Sequence, residues 1–301
     1  MSSIPLVSVV IPTHNRAGFL AEAIESVIGQ RFRDWELIVV DDGSDDDTEA
    51  AVRRFSDPRM RLHRQRQSGV SSARNAGVRL SRGPWLAFLD SDDFWMPDKL
   101  LRQLEELESR PGHRICHTEE IWIRRGKRVN PKKIHRKRGG WIYERCLRRC
   151  VVSPSSVLLH RSIFAECGVF DESFPVCEDY ELWLRLACRL PFLFLPEALI
   201  TKRGGHHDQL SRSRWGMDRY RVRALLKTAE RSPLTPRLRA LTAAEIARKA
   251  AILAAGCEKW GRREAARGYS ALAELWRAGG PAPAQTAGKR ALFGASNAPP
   301  S

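Results

Sequence analysis

Leu6-Val7-Ser8-Val9-Val10-Ile11-Pro12 and Trp35-Glu36-Leu37-Ile38-Val39-Val40-Asp41-Asp42-Gly43-Ser44 are short, almost unbroken apolar runs, each stopped by turn-forming residues. A strand with one wet face would alternate polar and apolar side chains, so runs of this kind point to strands buried on both faces. Between them, Leu20, Ile24, Val27 and Ile28 recur at helical spacing. Further helices are expected over about Asp47–Phe55 and Ser71–Leu80, with a short strand near Met60–His63. Trp85-Leu86-Ala87-Phe88-Leu89 reads as another buried strand, ended by Asp90-Ser91-Asp92-Asp93. Strand and helix in strict alternation with short loops imply parallel pairing through right-handed crossovers. The fold class is therefore α/β, a mostly parallel open sheet flanked by helices.

Working outward, an amphipathic helix (Leu100, Leu101, Leu104, Leu107) follows Pro97 and runs to Ser109, and Ile115–Ile123, of mixed polarity, reads as an edge strand. Trp141–Arg149 is expected to be helical, Ser156–His160 extended, Tyr180–Leu190 helical and residues 192–202 strand-like. From about Gly216 to Ala278 the pattern is helical alone, with breaks at Ser232-Pro233 and Gly256. The division expected is an α/β unit over 1–210, a helical extension over 211–280 and a disordered Ala/Gly/Pro/Ser-rich tail over 281–301.

Lys and Arg number 51 against 35 Asp and Glu in 301 residues, a formal charge of +16. The surplus is uneven: residues 1–100 are net −2, 101–120 again −2, 121–149 net +11 and 150–301 net +9. A nucleic-acid binder driven by uniform charge would not keep its first 120 residues mildly acidic, so nucleic acid is not an expected partner. The run from Arg124 through Arg138 reads as a basic loop (124–140) inserted between folded parts, a solvated segment or a patch for an anionic membrane surface or a phosphate-bearing acceptor. The apolar runs fall short of the roughly 18 residues a membrane span needs. Neither a span nor a signal peptide is expected, and seven cysteines at irregular spacing suggest reduced thiols in the cytoplasm. Cys116, Cys146 and Cys150 with His113 and His117 lack the paired spacing of a zinc site.

Ligands of an open parallel sheet bind at the carboxyl ends of its strands, and both acidic clusters fall there. Asp41-Asp42 is placed to accept hydrogen bonds from ribose hydroxyls or a base edge. Asp90-Ser91-Asp92-Asp93 gathers carboxylates on one turn, a donor set suited to Mg²⁺ or Mn²⁺ and through it to a diphosphate. Asp and Ser also serve as ordinary turn formers and helix caps. Pro12-Thr13-His14-Asn15-Arg16 stands where a dinucleotide or P-loop protein carries its glycines, which argues against a dehydrogenase or kinase.

Taken in order, Val9-Val10-Ile11-Pro12-Thr13-His14-Asn15-Arg16, Val39-Val40-Asp41-Asp42-Gly43-Ser44, Ala73-Arg74-Asn75-Ala76-Gly77 and Phe88-Leu89-Asp90-Ser91-Asp92-Asp93 resemble glycosyltransferase family 2, inverting enzymes of the GT-A fold. The resemblance covers about residues 5–210. It implies a donor pocket lined by Pro12, Thr13, His14 and Arg16, with Asp41 or Asp42 on the base or ribose and Arg74 near the donor. It makes Asp90-Ser91-Asp92 the Asp-X-Asp motif that holds Mn²⁺ or Mg²⁺, Asp92 as direct ligand. It also makes Glu178-Asp179 the pair that supplies the catalytic base, Asp179, whose plain alternative is a cap for the following helix. His206 or His207 would lie in a loop over the donor. On this reading residues 1–110 form the nucleotide-binding half and 111–210 the acceptor half. The activity implied is transfer of a sugar from a nucleotide-diphospho-sugar, UDP foremost, to a saccharide or lipid-linked acceptor in cell-surface polysaccharide or glycolipid synthesis, in the cytoplasm or peripheral on the inner membrane face. The alternatives are a sugar-phosphate nucleotidyltransferase, which would usually show a glycine-rich phosphate loop, and a non-enzymatic basic protein binding nucleic acid or a membrane surface.

Overall fold

The computed structural model describes residues 4–130, 133–205 and 216–281. Its first part is β1 (Val7–Thr13), α1 (Ala17–Ile28), β2 (Trp35–Asp41), α2 (Thr48–Arg53), β3 (Met60–Arg64), α3 (Val70–Leu80) and β4 (Trp85–Phe88). Every residue of β1 and β2 is buried, which accounts for their unalternating apolar sequences. β1 pairs in parallel with β2 and with β4, and β2 in parallel with β3. α3 lies tightly on this sheet: a Cβ added at Gly77 would stand 2.2 Å from Val10 Cγ1.

The chain continues through β5 (Phe94–Trp95), α4 (Lys99–Glu108), β6 (Ile115–Arg124), β7 (Lys127–Val129), α5 (Tyr143–Arg148), β8 (Val157–His160), α6 (Ser162–Cys167), α7 (Glu178–Ala187) and β9 (Leu193–Gly204). The sheet order is β3-β2-β1-β4-β8-β6-β9-β5, with β7 paired to β6. β8 runs antiparallel to both β4 and β6, and β9 runs parallel to β6. Two reversals restore the direction, so β6 and β9 end at the same side of the sheet as β1, β2 and β4.

Two expectations are corrected here. β6 is not an edge: β8 and β9 flank it, and its mixed polarity comes from a buried polar network. In that network Glu120 accepts from Lys137 Nζ and Ser153 Oγ, both at 2.7 Å, and His117 Nε2 meets the Arg138 carbonyl oxygen at 3.0 Å. The basic segment is likewise more than a loop. It opens as a hairpin in which Arg124 pairs with Lys127, and Lys137 is buried against Glu120.

Three helices follow, α8 (Met217–Arg231), α9 (Pro236–Lys259) and α10 (Arg263–Arg277). Ser232-Pro233 separates the first two as expected, whereas Gly256 lies inside α9, where nothing crowds its missing side chain. The turn falls instead at Gly261, whose φ of 68° suits a residue without Cβ. Thr235 caps α9 by accepting from Leu238 N, with Pro236 in the first turn. On one side of the sheet a single apolar cluster runs from Val10 and Phe88 through Trp183 to Leu225, Ile246 and Trp276. On the other side Val9, Ile11 and Leu37 pack with Leu20, Ile24 and Leu100. The helical region therefore shares its core with the sheet. Apart from Pro281, the tail lies outside the described residues, and no helix among them is long and apolar enough to cross a membrane.

Candidate active site

At the carboxyl ends of the strands lies a cleft of about 730 Å³. Pro12, Thr13, His14, Arg16, Asp42, Arg74, Asp90, Asp92, Glu178 and Asp179 all line it, so residues from five separate stretches of sequence meet there. Asp41 is the expected site residue that does not. Adjacent residues on extended backbone point to opposite faces. Asp41 is fully buried, accepts from Ser44 N at 2.9 Å and has Arg64 Nε 3.6 Å from its other oxygen. Asp42 faces the cleft wall and accepts from Ser68 N (2.9 Å) and Gly69 N (2.7 Å), tying down the entry to α3.

The loop after β1 is locked to the loop after β2. Asn15 adopts a left-handed conformation (φ 51°), receives Asp45 N on its side chain and donates its own N–H to Ser44 Oγ, both at 2.9 Å. His14 sits between the Asp42 carbonyl, 3.0 Å from Nδ1, and the Gln67 amide, 3.0 Å from Nε2. With Nδ1 donating to the carbonyl, Nε2 accepts from Gln67 and the ring plane is fixed. Thr13 Oγ1 is buried beside it with no partner among the described residues, a polar atom left for a ligand.

Arg74 joins the two acidic regions. Its Nη2 donates to Asp90 Oδ1 at 2.7 Å and its Nη1 to Glu178 Oε1 at 2.6 Å, with Arg74 and Glu178 almost wholly buried. Burial works to raise the Glu178 carboxyl, and Arg74 opposes it. Asp92 Oδ2 lies 3.4 Å from Arg16 Nη1. Asp93 is fully enclosed: Ser155 Oγ donates to it at 2.7 Å and Arg203 N at 3.0 Å. Burial pushes its carboxyl well up, with Asp92 and Asp90 adding to the effect. It braces the turn that presents Asp90 and Asp92. These two carboxylates keep partial exposure, and no group of three or more His, Cys, Asp or Glu side chains suited to a metal occurs among the described residues.

α7 starts two residues earlier than the sequence pattern indicates. Cys177, with φ 62°, occupies the cap position, so Asp179 stands in the first turn. Its Oδ1 accepts from Tyr180 N at 2.6 Å, and the Cys150 thiol lies 3.2 Å from Oδ2. Burial, then the neighbouring Asp179, drives the Cys150 thiol well above its usual range. His206 and His207 lie outside the described residues.

Sequence reasoning missed Cys150, Lys202, Arg203, Met217 and Arg221, which also line the cleft. Lys202 is the most informative of them. Burial works against its charge, but Glu120, Asp93, Asp90 and Asp179 surround it and hold the ammonium protonated. No local signal marks it, because it reaches the cleft through the pairing of β9 with β6, in which Lys202 stands opposite Trp122. A basic pair near the end of a strand was the one available hint.

A family model described as Glycosyl transferase family 2 matches residues 8–166, more than half of the chain. The chain belongs to this family. Among relatives, UDP-Glc:alpha-D-GlcNAc-diphosphoundecaprenol beta-1,3-glucosyltransferase WfgD of Escherichia coli is 33% identical over 188 residues, covering 60% of this chain and 69% of that protein. The uncharacterized glycosyltransferase RP339 of Rickettsia prowazekii is 31% identical over 204 residues, 66% of this chain and 64% of its own length. Among solved structures, S. aureus TarS 1-349 in complex with UDP-GlcNAc aligns with a TM-score of 0.68 at 16% identity, over 91% of this chain and 92% of that one. Mannosyltransferase PcManGT from Pyrobaculum calidifontis, in complex with GDP-Man and Mn²⁺, gives 0.56 at 17% identity, over 92% and 86%. At such identities the likeness concerns the fold, and it is the GT-A α/β fold expected from the four motifs.

Proposed function

We propose that this family 2 glycosyltransferase moves a sugar from a nucleoside-diphosphate sugar, UDP foremost, to a hydroxyl of a lipid-linked saccharide, with inversion at the anomeric carbon. The observation that carries the reading is the Arg74 bridge. One guanidinium spans Asp90 and Glu178, 88 positions apart in sequence, so the aspartate turn and the base-bearing end of α7 face one cleft. An inverting transfer needs that juxtaposition: the acceptor oxygen bonds to the anomeric carbon as the bond from that carbon to the diphosphate oxygen breaks. Asp179 takes the acceptor proton, and the diphosphate leaves with the electron pair. WfgD is named for UDP-Glc and a diphosphoundecaprenol-linked acceptor and the TarS complex holds UDP-GlcNAc, which supports the choice of substrate classes.

The donor set also fits a divalent cation. Mg²⁺ and Mn²⁺ usually take one or two protein carboxylates and complete their shell with substrate phosphates and water. Asp92 and Asp90 are two such carboxylates, partly exposed on one braced turn, so a third protein ligand is not required. A cation held there would screen the charge that gathers on the departing diphosphate. The chain's own share is to fix the nucleotide side through the locked loop after β1, hold the turn through Asp93 and Ser155, and take up the proton at Asp179.

Nucleotide-sugars presented with a polyprenyl-diphosphate-linked saccharide, with and without Mn²⁺, test the reading. Asp179→Asn is expected to lower kcat by roughly 10²–10⁴-fold while leaving donor binding intact. Turnover unchanged by that substitution would remove Asp179 from its role. Release of inorganic diphosphate from a nucleoside triphosphate and a sugar phosphate would instead establish the nucleotidyltransferase alternative.

A further inference from the structure

The basic segment singled out in the sequence is not used by the proposed chemistry, yet both of its ends stand on the rim of the cleft. It leaves β6 at Arg124, beside the strand positions Lys202 and Arg203 that line the cleft, and it returns at Cys150, which lines it too. Its described residues are attached to the sheet at several points. The β6–β7 hairpin, the buried Lys137–Glu120 pair, the His117 contact to the Arg138 carbonyl and the Gly140–Phe192 bridge each fix it to the sheet. The Trp122 ring packs on His135 at 5.1 Å, and the Arg124 guanidinium lies 5.8 Å from Trp122, so hairpin and following segment form one surface.

That surface has a distinct chemistry. Arg124, Arg125, Lys127, Arg128, Arg136, Arg138 and Arg148 are exposed, and none of them forms an ion pair among the described residues. Two large apolar side chains of the same segment are exposed as well, Ile134 at 56% and Trp141 at 68%. Cations alone would suit any polyanion. Cations interleaved with an aromatic and an aliphatic side chain that point to solvent suit an interface charged on its surface and apolar just beneath it, which is the layering of a phospholipid leaflet.

We infer that this face, Arg124–Arg128 with Ile134, Arg136, Arg138 and Trp141, is a docking surface for an anionic phospholipid bilayer and sets the cleft mouth against the membrane. The inference rests on the proposed lipid-linked acceptor for its purpose but not for its test. The probes are vesicles of phosphatidylglycerol with phosphatidylethanolamine, vesicles of phosphatidylcholine, and a duplex DNA, each mixed with the full chain. The full chain is expected to sediment with the anionic vesicles and not with phosphatidylcholine, with binding that weakens as salt rises. Joint replacement of Arg125, Lys127, Arg128 and Arg138 by Glu is expected to weaken vesicle binding roughly ten-fold or more. Trp141→Ser weakens it while leaving its salt dependence unchanged. Equal binding to both vesicle types, or binding insensitive to the charge reversal, overturns the inference, as does tighter binding to duplex DNA at the same ionic strength. Nucleotide-sugar binding by the charge-reversed chain reports that it is folded. Should that variant not fold, Trp141→Ser decides the matter: vesicle binding left unchanged by it overturns the inference. Failure of every nucleotide-sugar to bind would count against the proposed function and leave the vesicle result standing.

Discussion

The cleft gathers more charge than its acidic motifs suggest, and Lys202 is the clearest case. Its ammonium stands among Asp90, Asp93 and Asp179 and, together with the Arg74 guanidinium on Asp90, offsets the charge gathered in a partly buried space. Lys202→Met is expected to lower kcat/KM by roughly 10–100-fold, with Lys202→Arg recovering part of the loss. Steady-state kinetics with the preferred donor measure both, and an unaffected Lys202→Met enzyme would remove the residue from the electrostatics of the site. The acidic side of the cleft was legible in the sequence, because turn chemistry and strand ends coincide at Asp42 and at Asp90-Ser91-Asp92. Which member of Asp41-Asp42 faces the cleft was not. That depends on where extended backbone places each side chain, and on the N–H groups of Ser68 and Gly69 that claim Asp42.

Among the elements, β6 teaches most about the limits of pattern. Its polar residues suggested an edge, whereas His117, Thr118 and Glu120 are buried, with Lys137 and Ser153 donating to Glu120 and the Arg138 carbonyl meeting His117 Nε2 from 17 or more positions away. No local rule counts such partners. The network also makes the strand sensitive to acid. Burial first, then Lys137, holds the His117 imidazole down at about 3, against 6.5 when unfolded. The unfolded chain therefore takes up a proton near pH 6.5 that the folded chain refuses until about pH 3, so stability present above 6.5 is lost as pH falls through this interval. Glu120 adds to the loss at lower pH. Burial works to raise its carboxyl, but Lys137 and Lys202 hold it at about 2 against 4.5. By about pH 5 the histidine contribution is on the order of 2 kcal/mol. Urea midpoints at pH 7.5 and 5.0 are expected to differ for the unaltered chain and to converge for His117→Gln. Equal pH sensitivity in the two proteins would refute this origin.

For the molecule as a whole, the parallel half could be read almost entirely from periodicity, since β1, β2 and β4 are nearly unbroken apolar runs and helices alternate with them along the chain. The role of the C-terminal helices could not. They are amphipathic and locally unremarkable, yet Met217 and Arg221 reach the cleft, and Tyr143 Oη shares a 2.7 Å hydrogen bond with Thr242 of α9. A chain cut after residue 210 would expose the Trp183 side of the core. It is expected to be insoluble or to unfold without cooperativity, while the full chain unfolds in one urea transition. A soluble, cooperatively unfolding 1–210 fragment would show that the helices are an accessory. The Arg74 bridge carries a different consequence, one for recombination between related genes. The wall of the cleft assigned to the donor comes from a continuous stretch ending at Asp93, whereas the facing wall is assembled from segments around Cys150, Asp179, Lys202 and Arg221. A crossover between α4 and β6 would exchange one wall and keep the other. The chimera would remain competent only if the incoming half brought a carboxylate at position 178 for Arg74 and a hydroxyl at 155 for Asp93. These two residues thus bear on the compatibility of a junction that lies far from either of them in sequence.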